Sequence, residues 1–298
     1  MKDIIRKKHE GEGIPVINKL QETEYLTFPG LDATGLVNHL FSTRKGGVST
    51  GIYESMNLSY SRGDDKALVD ENYRRIASVF GETMDKIVLS DQTHTTNIRL
   101  VTKEDCGKGI TGCKDYQDVD GMITNEPGII LATLYADCVP LYFVDTKNKA
   151  IGLSHSGWKG TVGRIGKATL DAMKEAFGTN PVDVHCAIGP SICKDCYEVS
   201  GDVALQFKRE FAKQAEQIVT PISPVIEMGK EQEQLQEDKY LLDLWQANKI
   251  VLMEAGVLKE NIEVTDLCTC CNSSYLFSHR ASKGKRGNLG AFLELRNN

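Results

Sequence analysis

The sequence predicts an α/β fold built on one mixed sheet. Two observations lead there: strand-like and helix-like runs interleave irregularly along the chain, and no repeat or strong linker divides it. The chain has 298 residues, 41% hydrophobic and 26% charged. That is ordinary globular composition, long enough for a full core, and it is read as one domain over residues 1–298.

Taken in order, residues 14–29, "IPVINKLQETEYLTFP", read as short strands with a turn and give a β-rich start within residues 1–30. "LVNHLFSTRKGGVSTGIYESMNLSY" is a strand followed by a glycine-rich loop. "DDKALVDENYRRIASVFG" predicts a helix. Its apolar face includes Leu68, Tyr73, Ile76 and Phe80, Asp64 or Asp65 caps it, and Gly81 stops it. "KIVLSDQTHTTNIRLVT" is two short strands around a polar turn. "DVDGMIT" and "GIILATLYADC" are strands, the second apolar enough to be buried on both faces.

"VPLYFVD" and "KAIGLSH", joined by "TKN", predict a β-hairpin. "TVGRIGKATLDAMKEAFG" then reads as a helix ending at Gly178, and "PVDVHCAIGPSI" as a strand running into a turn. "GDVALQFKREFAKQAEQI" and "LLDLWQANKIVLMEAG" are amphipathic helices, separated by a polar excursion at residues 221–240. The chain closes with a strand, a cysteine-bearing loop and a final strand.

Net charge is −6 and no Lys/Arg block stands out, which argues against a nucleic-acid partner. "RKGG" and "KGKRG" read as solvated loops or as holders of a small anion. No apolar run reaches the roughly 18 residues of a membrane span, and the first residues lack a signal-peptide core, so a cytoplasmic protein is expected. In that compartment the nine cysteines are expected as thiols, ligands or catalysts.

The hairpin brings Cys138 and His155 to one end of the sheet, with Cys138 facing a residue between His155 and Gly157. A one-residue slip would part them. His94, in "SDQTHTTNI", follows a short strand and sits among hydroxyl and amide residues. A His/Cys/His set suits zinc, and three protein ligands leave a fourth position open. The alternative from the same residues is a metal-free hydrolase or amidase, with Cys138 as nucleophile and His155 as its base. A multicopper oxidase needs many histidines, and six scattered ones argue against it. His9, His39 and His185 read as structural or surface residues, and Cys106 and Cys113 as bystanders. "CKDC" (Cys193, Cys196) and "CTCC" (Cys268, Cys270, Cys271) look like halves of a second metal site, or else are packed thiols.

The pieces "FSTRKGGVS", "MNLS", "QTHTTNI", "DVDGMIT", "YADCVPLYFVD", "GLSHSGWKGTVGRI", "AIGPSI", "CYEV" and "DLCT…LFSHR" occur in order between Phe41 and Arg280. In this the chain resembles the YfiH/laccase-domain family, also described as polyphenol oxidoreductases. The resemblance implies a layered α/β/α sandwich similar to the catalytic domain of cytotoxic necrotizing factor toxins. It implies a zinc site whose ligands match His94, Cys138 and His155. It also implies phosphorolysis of adenosine, inosine, guanosine and methylthioadenosine, with adenosine deamination. Older family descriptions imply a copper laccase, and bacterial relatives are tied to peptidoglycan-precursor editing. Two departures stand out: the terminal pattern, in which His279 stands where tyrosine is usual and Asn288 where arginine is common, and the cysteine richness near the end.

For that chemistry Asp137 is the expected proton carrier, or else a tie for loop amides. Arg44 supplies a fork for phosphate oxygens, with Gly46 and Gly47 leaving backbone N–H groups approachable. Arg280 is a second anion contact, and Gln92 and Asn57 are expected to read purine or ribose edges. The expected partners are a purine nucleoside and inorganic phosphate, with no protein partner implied.

Overall fold

The computed structural model describes residues 4–7, 15–222 and 238–297. His9 and residues 223–237 of the polar excursion lie outside them. The fold is α/β with mixed sheets, but the expected single sheet is two six-stranded sheets. One runs β1 (Val16–Leu20), β2 (Thr23–Thr27), β3 (Val37–Ser42), β15 (Leu289–Leu295), β7 (Ile130–Tyr135), β4 (Ile87–Leu89). The other runs β14 (Ile262–Val264), β10 (Val184–Ile188), β8 (Val139–Asp145), β9 (Ala150–Ser156), β6 (Gly121–Thr124), β5 (Ile98–Leu100). Parallel pairs join β4 to β7, β10 to β14 and β5 to β6; the other neighbours are antiparallel. A small sheet of β11 (Glu198–Ser200), β13 (Lys239–Leu242) and β12 (Val219–Pro221) lies beside them.

Side-chain alternation explains the doubling. Along β8, Tyr142 and Val144 join a core shared with Leu131, Tyr135, Leu289 and Leu293 of the other sheet. Leu141 and Phe143 point the opposite way, into a core with helices Ile165–Phe177 and Leu244–Glu254. Behind the first sheet, Ile130, Ala132 and Phe292 pack on Val69, Tyr73, Ile76 and Ala77 of helix Lys66–Phe80. Helices therefore flank a pair of facing sheets, α/β/β/α instead of the expected α/β/α. A strand buried on both faces reads the same whether a helix or a second sheet covers it. Each buried Leu, Val or Phe contributes about 1.5–3 kcal/mol relative to exposure. Two hydroxyls pin the sheets together: Tyr142 donates to the Leu40 carbonyl at 2.9 Å and Tyr135 to that of Ser154 at 3.1 Å.

The helix expected after Asp64 starts at its cap Asp65, whose side chain accepts from the Ala67 amide, and ends at Gly81 with φ 73°. Asp64 instead accepts from Asn57. The helix expected over "TVGRIGKATLDAMKEAFG" is two: Trp158–Val162, then Ile165–Phe177, parted by Arg164 at φ 59°. Arg164 is held there by Glu210 and Glu254. Among the described residues no helix is long and apolar enough to cross a membrane.

Candidate metal centre

At one end of the sandwich, two of the crossings between the sheets carry the candidate ligands His94 and Cys138. Ser90–Asn97 leads from β4 in the first sheet to β5 in the second, and Ala136–Cys138 leads from β7 to β8. His94 lies on one crossing and Cys138 on the other. Both crossings turn sharply: His94 has φ 67° and Asp137 φ 86°, left-handed values uncommon outside glycine.

The β8–β9 register pairs Val139 with Ser156 and Pro140 with His155. Cys138 therefore stands opposite Gly157, at one limit of the expected range, and shares a face with His155 because 138 and 140 have the same parity. The donor atoms of His94, Cys138 and His155 all lie within 4.8 Å of one another. Cys138 Sγ is 3.9 Å from His94 Nε2, and the two imidazoles meet edge to face at 4.9 Å. Gly157 closes the cluster, since a Cβ there would lie 2.7 Å from the His94 ring and 3.2 Å from the Cys138 sulfur.

Asp120, buried immediately before β6, organises the group. Its carboxylate accepts from His155 Nδ1 at 2.8 Å and from the amides of Thr93, His94 and Thr95 at 3.0, 3.1 and 2.8 Å. Burial opposes its ionisation, yet the His155 ring and those amides hold it at about 2. Burial likewise opposes a Cys138 thiolate, but the His155 and His94 imidazoles pull the thiol down to about 6. His155 moves up to about 9: burial works against its charge, and the Cys138 sulfur and Asp120 outweigh it. One thiolate and two imidazoles, one of them oriented by a carboxylate, form a donor set suited to zinc. Half-buried Cys138 and exposed His94 leave its outer side open.

The three residues face a cavity of about 370 Å³. Of the residues expected at substrate, only Gln92 lines it, and its amide is engaged with the Leu134 backbone at 2.8 and 2.7 Å. Arg44 and Arg280 lie off the cavity wall. Arg44 donates to the carbonyls of Glu54 and Ser273 and stacks on Phe277, while Arg280 donates to those of Cys196 and Glu198. Gly46 and Gly47 serve close packing: a Cβ would lie 1.9 Å from the Glu22 carbonyl oxygen and 2.1 Å from that of Ser55. Asn57 ties the Ser59 and Asn288 loops by accepting from both amides. Asp137 turns both oxygens to Thr269 Oγ1, at 2.6 Å, and the Arg280 amide, at 2.7 Å. This is the loop-tie geometry.

The cationic lining of the cavity comes from Arg286, Arg62 and Lys114, the last paired with Asp91 at 2.6 Å. Arg286 is 7% exposed and donates to Asn288 Oδ1 and the Gly287 carbonyl, while its buried Nε has no partner. Burial, reinforced by Arg62, lowers its pKa to about 10. Among the described residues neither guanidinium is ion-paired to a carboxylate. Asp120, Gly157 and Arg286 were not singled out as site residues from the sequence. Their signals lie in "DVDGMIT", "HSGWKG" and the basic "KGKRG". Of the histidines read as structural, His39 is buried and accepts from the Phe28 amide through Nε2 at 2.8 Å.

Comparison with known proteins places the chain in a family. The family described as multi-copper polyphenol oxidoreductase laccase matches residues 38–296. The chain belongs to that laccase family. A relative, the purine nucleoside phosphorylase YlmD of Bacillus subtilis (strain 168), is 35% identical over 260 residues, 86% of this chain and 87% of the relative. The crystal structure of YlmD from Geobacillus stearothermophilus matches with a TM-score of 0.79 and 32% identity, covering 95% of this chain and 100% of that one. The YfiH structure from Bacillus licheniformis gives 0.82 and 31%, covering 91% and 96%. In this laccase-family chain, the described residues hold one group of mixed His/Cys donors and one of cysteines alone.

Proposed function

We propose that this chain is a zinc-dependent purine nucleoside phosphorylase acting on adenosine, inosine, guanosine and methylthioadenosine, with adenosine deamination as a second activity. The observation that carries the reading is the convergence of His94, Cys138 and His155 on a cavity also lined by Arg286, a buried guanidinium with no carboxylate partner among the described residues. The purine nucleoside phosphorylase names of its relatives support the nucleoside and phosphate substrates.

His94, Cys138 and His155 would hold the ion, and zinc bound there supplies Lewis acidity at the open fourth position. Asp120 fixes the His155 ring so that Nδ1 faces the carboxylate and Nε2 faces the site. Arg286, with Arg62 beside it, holds the anionic phosphate. Held there, phosphate offsets the positive charge that develops on the ribosyl group as the glycosidic bond breaks. Asp137, one residue from the sulfur ligand, positions Cys138 through its ties to Thr269 and Arg280.

The test is inosine plus phosphate with Cys138→Ala, read as hypoxanthine release. Turnover falls to background in this reading, and undiminished release removes it. One observation favours a second reading: the lowered Cys138 thiol beside His155 has the form of a metal-free Cys–His hydrolase. Zinc that shields Cys138 from alkylation in the purified protein decides for the first.

A further inference from the structure

The cysteine-only group borders Asp137, the neighbour of Cys138, through Ile192 and Thr269. Cys193 and Cys196 span a single turn, Lys194–Cys196, with the Cys196 amide donating to the Cys193 carbonyl at 3.1 Å. Cys268 and Cys271 span a second turn, in which the Asn272 amide reaches the Cys268 carbonyl at 3.1 Å. A β-bridge between Ser191 and Cys268 sets the two turns side by side. All four sulfurs lie within 4.8 Å of one another. Cys270, in the same run, is not a member of the group.

We propose that Cys193, Cys196, Cys268 and Cys271 form a second, structural zinc site. Two C-x2-C pairs brought together by a fold are the ligand pattern of closed tetrathiolate zinc centres. With Zn–S near 2.3 Å, a tetrahedron has S···S edges of roughly 3.8 Å. The observed cluster, with Cys196 and Cys271 sulfurs 3.5 Å apart, needs only small adjustments to reach it. The amides of Cys193 and Cys271 donate to the Cys268 sulfur at 3.2 and 3.4 Å, and such N–H···S bonds stabilise a thiolate in a buried position. Cys193 and Cys268 are buried while Cys196 and Cys271 are half-buried, so an ion enters from the outer side. A zinc tetrathiolate carries two negative charges. Lys7, paired with Asp195 at 2.8 Å, lies within electrostatic range of Cys193 and Cys271 to offset them.

The position also gives the site a task. Its two turns hold Asp137 from both sides: the Ile192 amide donates to the Asp137 carbonyl at 3.0 Å, and the Thr269 hydroxyl to its carboxylate. Asp137 in turn fixes Cys138. The second ion thus braces the strand end that presents the sulfur of the first.

Elemental analysis of the full chain purified under reducing conditions tests this independently of catalysis. Two zinc ions per wild-type chain are expected, one in Cys138→Ala and one in Cys271→Ser. If Cys271→Ser does not fold, Cys138→Ala is loaded with cobalt instead. With the other thiolate ligand gone, strong sulfur-to-cobalt charge transfer and tetrahedral ligand-field bands report the four-cysteine site alone. The proposal is overturned by a featureless cobalt spectrum, by zinc that Cys271→Ser retains in full, or by a Cys196–Cys271 disulfide in peptide mapping of the reduced preparation. A wild-type chain with one zinc that survives Cys138→Ala would sink the first centre and leave this one standing.

Discussion

Asp120 and His155 share a 2.8 Å hydrogen bond in which both side chains are almost wholly buried. The same carboxylate gathers the amides on either side of His94, so one side chain sets two of the three candidate ligand positions.

Asp120→Asn keeps the shape but turns an amide N–H₂ toward groups that themselves donate. Zinc affinity, measured by competition with a chromophoric chelator, is expected to fall about 10- to 100-fold, the usual cost of losing a carboxylate behind a histidine ligand. Unchanged affinity would remove Asp120 from the centre. Because Asp120 sits at about 2, below its ordinary 3.8, the stability it lends is complete above that value and drains away as pH falls through 2. Denaturant midpoints at pH 5 and pH 3 should therefore drop less in Asp120→Asn than in the parent chain.

Gly157→Ala tests the cradle. The backbone there has φ −73°, so alanine is not strained, and its effect is the contact of a new methyl with His94 and Cys138. Normal circular dichroism with zinc binding weakened by at least about tenfold is expected, as for a displaced ligand. Full-affinity zinc in this variant would mean that the three side chains do not close over one ion.

Arg286→Ala should raise the KM for phosphate while moving the KM for inosine little. A hydrogen bond to a charged group is worth about 1.5–3 kcal/mol, roughly a 10- to 150-fold change. An unaltered phosphate KM would reassign the anion site.

Alkylation of Cys138 in chelator-treated protein, followed by mass spectrometry of its peptide, should rise with pH through a midpoint near 6, where the imidazoles hold the thiol. The thiolate exists above that value and is lost below it. Adding zinc should suppress the reaction across the range. A midpoint near the ordinary thiol value of 9 would contradict the geometry of the pair.

Local features were legible because neighbours in sequence decide them. A cap at Asp64 or Asp65, the stops at Gly81 and Gly178, and the placing of Cys138 and His155 at one end of the sheet follow from turn chemistry and the hairpin. Which basic side chain faces the cavity was not legible. An arginine beside glycines looks like an anion holder whether its fork meets phosphate or, as in Arg44, carbonyl oxygens from distant loops. Arg286 carries the same local signal in "KGKRG", and only its place at the cavity and its unpartnered Nε separate the two.

By itself the sequence determined the α/β class, the hairpin and the candidate ligands, since strand period, capping residues and donor chemistry are properties of short stretches. Tertiary structure alone decided that two sheets face each other, that the crossings carrying His94 and Cys138 both end beside His155, and that four cysteines from separate loops meet. Those outcomes depend on which surfaces cover which, and burial is settled between segments far apart along the chain.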